Sequence, residues 1–330
     1  MNSAMKRLSS STTGRSGKLG FALDIDGVFL KGKNVLPGAK EALRLLDKSG
    51  LPYVFVTNGG GVTEEDKARS LSQLLDSEVT EKMVLMSHTP FRRQVDQYRD
   101  KRVLVLGSEN AVSIAKHYGF KKPVSPRDLL SESPTAFQQI SVHKMGQHQA
   151  EMLDEEVHAA LVIGDPFEWG LDIQILTDVM LPSQIPLFAS NADILYNNEH
   201  HAPRYTQGAF VAAFQYLYEK VSQRPLEVQF AGKPFAITYS MAQAMLEERS
   251  RVLDVETPTR FVGIGDSPLS DIRGANNFGW SSVLVHTGVW SPSASGEREI
   301  WECEGNESMT PTLVKQDILQ AVEALLRLED

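Results

Sequence analysis

The stretch Phe21-Ala22-Leu23-Asp24-Ile25-Asp26-Gly27-Val28 decides how the rest of the chain is read. An apolar run stops at two carboxylates spaced i and i+2, and a glycine follows at once. Residues 21–23 read as the end of a buried strand. If extended geometry persisted, Asp24 and Asp26 would share a face, and Gly27 would let the chain turn away. Two close carboxylates repel unless a cation or a shared proton intervenes, so the pair points to a divalent metal. With a metal present, Asp24 would stay ionised and could act as a nucleophile. Asp26 could then serve as general acid and base. Taken alone, Asp-x-Asp-Gly is also what a polar strand end closing a turn looks like.

Outward from this stretch, short apolar runs alternate with helix-like segments. Residues 37–46 read as a helix, with Pro37 near its start and Gly50 just past its end. Residues 53–56 form a second apolar run, and Thr63 is placed to cap a helix through residue 75. The rhythm recurs at 102–106 with 110–118, at 160–163 with 171–179, at 186–189 with 208–218, and at 260–264 with 271–278. Residues 282–285 read as a late strand and 313–328 as a closing amphipathic helix. The stretches 121–146 and 291–310, rich in Ser, Pro and charge, read as loops. Strands alternating with helices predict parallel sheets covered by helices, with ligands beyond the strands' carboxyl ends.

The polar residues that follow the apolar runs are therefore the informative ones. Thr57-Asn58-Gly59-Gly60-Gly61 offers a hydroxyl, exposed backbone amides and a helix N-terminus, which together suit an anion. Lys233, in Gly232-Lys233-Pro234, could neutralise anionic oxygens and hold Asp24 ionised. Asp266, in Gly263-Ile-Gly-Asp-Ser267, could ligate a metal through oxygen, and Asp271 stands in the first turn of the next helix. Each feature also has a plain structural explanation, as a turn, a flexible loop, a solvated lysine or a helix start.

At 330 residues the chain suggests two domains, one inserted in the other, and 42% hydrophobic residues allow a full core. A net charge of −9 argues against a dedicated nucleic-acid or anionic-membrane binder. Cys303 is the only cysteine, which rules out an intrachain disulfide and a cysteine zinc cluster. No apolar run reaches the ~18 residues that a membrane-spanning helix needs. Residues 1–18 read as a disordered tail or a short basic, Ser-rich mitochondrial transit peptide. The expected location is mitochondrial or cytoplasmic, not secreted.

In their order and context, the four groups resemble the sequence motifs of the haloacid dehalogenase superfamily, specifically its class-IIA phosphatases. The resemblance runs from about residue 19 to the C-terminus. It implies an α/β fold: a doubly wound, Rossmann-like parallel-sheet core at 19–87 plus 230–330, with an inserted α/β cap at 88–229. It further implies a Mg²⁺-dependent phosphatase acting on a small phosphomonoester through an aspartyl-phosphate. Asp24 would be the nucleophile and Asp26 the acid/base, with Thr57 and the amides of Asn58 and Gly59 on the phosphate. Lys233 would stabilise charge, Asp24, Asp26 and Asp266 would hold Mg²⁺, and Asp271 would support that shell.

Gly59-Gly-Gly61, Ser87-His-Thr-Pro90, Gly164-Asp-Pro-Phe-Glu-Trp169 and Asp172-Ile-Gln174 are similar to the subgroup of cat eye syndrome critical region protein 5 and fungal mitochondrial hydrolases. That subgroup leads one to expect Asn-Asp-Pro where this chain has Gly164-Asp165-Pro166. In the cap, Asn191, Asp193 and Tyr196 are candidate substrate contacts, and His200, His201 and Arg204 could help bind a second anionic group. The expected partner is a small phosphorylated metabolite, with a homodimer through the cap as a further expectation. Carbon–halogen cleavage shares the nucleophile but has no need of Asp26 or an acidic metal site. A non-catalytic interaction protein is the alternative of a different class, and a phospholipid headgroup phosphate is an alternative substrate.

Overall fold

The computed structural model describes residues 18–132, 156–196, 200, 202, 204–288 and 306–329. The chain opens on β1 (Leu19–Leu23), a hairpin of β2 (Leu30–Lys31) and β3 (Asn34–Val35), and helix α1 (Ala39–Ser49). Left-handed glycines bracket α1, Gly38 at φ 77° and Gly50 at φ 68°, the second where the sequence puts the stop. β4 (Tyr53–Val56), α2 (Glu64–Leu75) and β5 (Val84–Leu85) follow. Thr63 caps α2, its hydroxyl accepting the Asp66 N–H at 3.2 Å.

The chain then passes through a 3₁₀ turn (Thr89–Gln94) and α3 (Val95–Tyr98) to β6 (Arg102–Gly107), α4 (Ala111–Tyr118), β7 (Lys122–Val124) and α5 (Pro126–Glu132). Next come β8 (Val157–Ile163), α6 (Trp169–Ser183) and β9 (Leu187–Ala189). A hairpin of β10 (Leu195–Tyr196) and β11 (Arg204–Tyr205), α7 (Gln207–Ser222) and β12 (Val228–Phe230) complete this part. The return path is α8 (Ala236–Val252), β13 (Arg260–Gly265), a π-turn (Pro268–Ile272), α9 (Arg273–Asn277), β14 (Ser281–Val285), β15 (Leu313–Lys315) and α10 (Ile318–Leu326).

Among the described residues the long strands form two all-parallel sheets, ordered β15-β14-β13-β1-β4-β5 and β12-β9-β8-β6-β7. The second is inserted between β5 and β13 of the first, as a separate α/β cap on a doubly wound core. Alternation along the strands explains the layering. Leu19, Phe21, Leu23, Tyr53 and Phe55 pack under α1, α2 and α10, whereas Ala22, Val54 and Val56 pack on α8. In the cap, Leu104, Leu106 and Val162 face α6 and α7, and Val103, Val105 and Leu161 face α4. No helix among the described residues is long and apolar enough to cross a membrane.

Two sequence expectations are corrected. Residues 313–315 form β15 rather than the start of a helix. β14 would otherwise present an unpaired edge, and Asp317 caps α10 only afterwards, its Oδ1 accepting the Gln320 N–H at 2.8 Å. The 121–146 stretch is not all loop, since it holds β7 and α5. β7 is an edge strand, the one setting in which Pro123 can sit without costing a ladder bond. Residues 1–17, 133–146, 291–305 and His201 lie outside the described residues.

Candidate active site

The carboxyl ends of β1, β4 and β13 lie side by side, where connections run off to both sides of β1. Asp24 leaves β1 with its N–H on the Ile264 carbonyl at 2.9 Å, and its side chain is buried. Strand geometry stops at Leu23, so the strand's alternation does not carry on to Asp26. Asp26 is exposed, and its Oδ2 accepts from the Thr57 hydroxyl at 3.4 Å. Gly27, at φ 85°, makes the turn that the sequence indicates. Lys233 arrives just before α8, also buried, and its ammonium donates to Asp24 Oδ1 and to Asp271 Oδ1, the latter at 2.7 Å. Asp266 follows β13. Asp24, Asp266 and Asp271 each offer a carboxylate oxygen, and these oxygens lie within 4.8 Å of one another.

The electrostatics of this cluster are one-sided. Burial raises the Asp24 pKa well above the usual carboxylate range, Lys233 opposes this, and Asp271, Asp266 and Asp26 push it further up. Burial alone would lower Lys233, but Asp24 and Asp271 outweigh it and hold the ammonium charged. One ammonium leaves the cluster negative. A buried all-oxygen donor set with excess negative charge suits a hard divalent cation, so the residues present fit Mg²⁺.

Thr57, buried, accepts the Gly59 N–H at 2.9 Å and so shapes the loop after β4. The Asn58 amide ties three segments together. Its Nδ2 donates to Asp193 Oδ2 and to the Lys233 carbonyl, both at 2.8 Å, and its Oδ1 accepts the Lys233 N–H at 2.7 Å. Asn191 Nδ2 donates to the Asn58 carbonyl at 3.3 Å. Asn191 and Asp193 thus meet the core through Asn58. Tyr196 takes no part in these bonds and stands exposed on β10, opposite Arg204 of β11. Gly164 holds φ 75°, a region that asparagine tolerates, but a Cβ there would meet Ser108 at 3.0 Å and the Gly61 nitrogen at 3.2 Å, so in this chain the position is close-packed around a glycine.

Three contributors escaped the sequence reading. Thr287 donates to the Gly27 carbonyl at 2.5 Å, and Gly288 packs against the Asp266 carboxylate. Both follow the apolar run of β14, the same strand-end signal that singled out Asp24 and Asp266. Tyr239, with a buried ring on α8, donates to the Asp271 and Ser270 carbonyls, at 3.0 and 3.3 Å.

The haloacid dehalogenase-like hydrolase family model matches residues 21–121, and a related HAD-hydrolase-like model matches 230–321. A mitochondrial hydrolase of Saccharomyces cerevisiae is 32% identical over 94% of this chain and 96% of its own length. The cardiolipin synthase (CMP-forming)/mitochondrial hydrolase fusion protein of Schizosaccharomyces pombe is 34% identical over 89% of this chain, which spans 53% of that longer protein. Phosphoglycolate phosphatase 2 of Arabidopsis thaliana is 26% identical over 83% of this chain and 84% of itself. Among solved structures, a glycerol phosphate phosphatase of Mycobacterium tuberculosis in complex with magnesium superposes with a TM-score of 0.62, at 20% identity over 92% of this chain and 75% of that one. Strand-end carboxylates, the buried lysine and the inserted second sheet therefore agree with these similarities: the chain belongs to the haloacid dehalogenase-like hydrolases.

Proposed function

We propose that this chain, a hydrolase of phosphomonoesters, works through an aspartyl-phosphate formed on Asp24 with Mg²⁺ as cofactor. One observation carries the reading: Asp24, Asp266 and Asp271 converge, buried, with Lys233 on the nucleophile. A carboxylate oxygen of Asp24 attacks phosphorus and the ester oxygen leaves, taking a proton from Asp26. Asp26 then removes a proton from water, which attacks the acyl phosphate, releases inorganic phosphate and restores Asp24. Lys233 holds Asp24 in place, while the Thr57 hydroxyl and the amides of Asn58 and Gly59 would bind the phosphoryl oxygens, the Gly59 N–H exchanging the Thr57 oxygen for the phosphate. Asp24, Asp266 and the backbone carbonyl of Asp26 would hold Mg²⁺, with Asp271 steadying the set through Lys233 and the Ser267 N–H. When bound, the cation neutralises charge on the phosphoryl group.

The test is phosphate release from a panel of phosphomonoesters with and without Mg²⁺, run beside Asp24→Asn. Mg²⁺-dependent release that falls by at least ~10³-fold in the variant is expected, as for loss of a covalent nucleophile. Undiminished turnover by the variant would sink the assignment. A second reading has one observation behind it, the fusion of the fission-yeast relative's hydrolase part to a CMP-forming cardiolipin synthase. CMP and a phospholipid headgroup phosphate therefore belong in the panel. The names of the two yeast relatives, with the basic Ser-rich residues 1–18, also support a mitochondrial location, to be checked by fractionating cells that express the tagged full chain.

A further inference from the structure

Ser87-His88-Thr89-Pro90 has no role in the chemistry above, yet it is wired to the loop assigned to phosphate. The Ser87 hydroxyl donates to the Gly59 carbonyl at 3.1 Å. The Thr89 hydroxyl donates to Glu64 Oε1 at 2.7 Å, and Glu64 opens the helix that directly follows the loop. The same oxygen accepts from the Tyr118 hydroxyl at 2.7 Å, and Arg92 pairs with the other carboxylate oxygen at 3.2 Å. Tyr118 lies at the end of α4 in the cap, so Glu64 joins the core, the crossover and the cap. His88, completely buried, completes the chain with Nδ1 2.6 Å from the Tyr118 oxygen.

The proton positions follow from charge. Burial would raise Glu64, but the hydrogen bonds from Thr89 and Tyr118 hold it below the usual range, so it is a carboxylate. A carboxylate 2.7 Å from a phenol oxygen needs the phenolic proton between them, so Tyr118 donates to Glu64 and accepts from His88. Burial lowers His88 to about 4, which keeps the ring neutral at ordinary pH. The proton is then on Nδ1, and Nε2 carries a bare lone pair. That atom is buried without a hydrogen-bond partner, and the Val62 backbone opposes part of the lowering by burial. The ring edge beside it faces the loop, with Cδ2 3.6 Å from where a Gly60 Cβ would stand. The loop is closed in from the cap side too. A Cβ on Gly60 would meet Gly164 at 3.1 Å, and one on Gly61 would meet Ser108 at 3.0 Å.

We propose that the buried chain His88–Tyr118–Glu64 positions the phosphate-binding loop, so that phosphate affinity is set in part by side chains that never touch substrate. This rests on the reading of residues 57–61 as the phosphate loop. Removing one hydroxyl from the chain leaves Glu64 short of a donor and His88 without its acceptor, and the loop loses its rear support. The three are positioning residues, and their removal should weaken binding of the phosphoryl group more than its turnover.

The experiment compares full-length wild type with Tyr118→Phe, Glu64→Gln, Thr57→Ala and Ile114→Val. It uses p-nitrophenyl phosphate as substrate, inorganic phosphate as inhibitor, and a Tm for each protein. Ile114 is buried one turn earlier on α4, so its variant loosens the packing around Tyr118 without removing a hydrogen bond from the chain. Tyr118→Phe and Glu64→Gln are expected to raise KM and the phosphate inhibition constant about tenfold, the worth of one hydrogen bond, with kcat within about twofold. A rise in Thr57→Ala with none in either network variant overturns the positioning proposal alone. No rise in Thr57→Ala overturns the loop reading and this proposal together. An equal rise in Ile114→Val at the same loss of Tm also overturns it, because loosened packing would then suffice.

Discussion

Any Cβ on Gly27 or Gly288 would collide with the Asp266 carboxylate, and Gly27 is held at φ 85° besides. Asp266 therefore sits in a slot cut by two glycines from opposite ends of the chain. Gly288→Ala would push the carboxylate off its position and, because the new methyl would also meet the Asp266 Cβ at 2.6 Å, would shift the backbone beside it at a cost in stability of about 1–3 kcal/mol. The expected outcome is a rise of about tenfold or more in the Mg²⁺ concentration needed for half-maximal activity, read by titrating Mg²⁺ while Tm is followed in parallel. An unchanged Mg²⁺ requirement would remove Asp266 from the metal set. Asp24, Asp26, Thr57, Lys233, Asp266 and Asp271 were legible in the sequence because each stands at or beside a strand end, where apolar periodicity breaks. Gly288 and Tyr239 were not. A glycine's use as empty space, and a core tyrosine's hydroxyl aimed at a carbonyl, exist only once the neighbours are in place.

At the scale of elements, the long strands and helices followed directly from burial period and caps. β4 spans Tyr53–Val56 and α2 begins at the Thr63 cap, both as the sequence indicates. The misreadings fell on edges. β7 and β15 are three-residue edge strands, too short to show a period, and each exists because a neighbouring strand offers an open ladder. The segment after β13 also departs from a plain helix. Pro268–Ile272 is a π-turn, a form that recurs at functional sites, and it carries Asp271. Tyr239 steadies that turn from α8, its ring edge-on to Trp280, and Gly274 leaves the room for it. The helix that follows Lys233 thereby fixes the turn that carries the lysine's second partner.

At the scale of the molecule, the two sheets meet over the loop after β4, through Asn58 and Asp193. Burial raises the Asp193 pKa, Asn58 and Lys233 opposing without reversing it. An acid whose folded pKa lies above its unfolded value binds its proton more tightly when folded. Its charge then costs stability progressively as pH rises from the unfolded carboxylate pKa, near 4, through the raised folded value. Asp193→Asn removes that cost. Relative to wild type, the variant is expected to gain Tm as pH rises from about 4 to 7, and the difference between the two Tm–pH profiles isolates this residue from Asp24. Parallel profiles would show that Asp193 is not strained by its place between the sheets.

By itself the sequence determined the succession of strands and helices, the family motifs, and the polar residues ending the central strands. These depend on local periodicity and on residue type at a break in that periodicity. Only the tertiary structure decided that Asp26 meets the Thr57 hydroxyl, that Lys233 joins Asp24 to Asp271, and that Asn191 and Asp193 hydrogen-bond to Asn58. The same holds for the closed-in loop at 59–61. Adjacent strands of a parallel sheet are remote in sequence, so which side chains meet at their ends is set by strand order. Strand order is fixed only when both faces of each sheet have been covered.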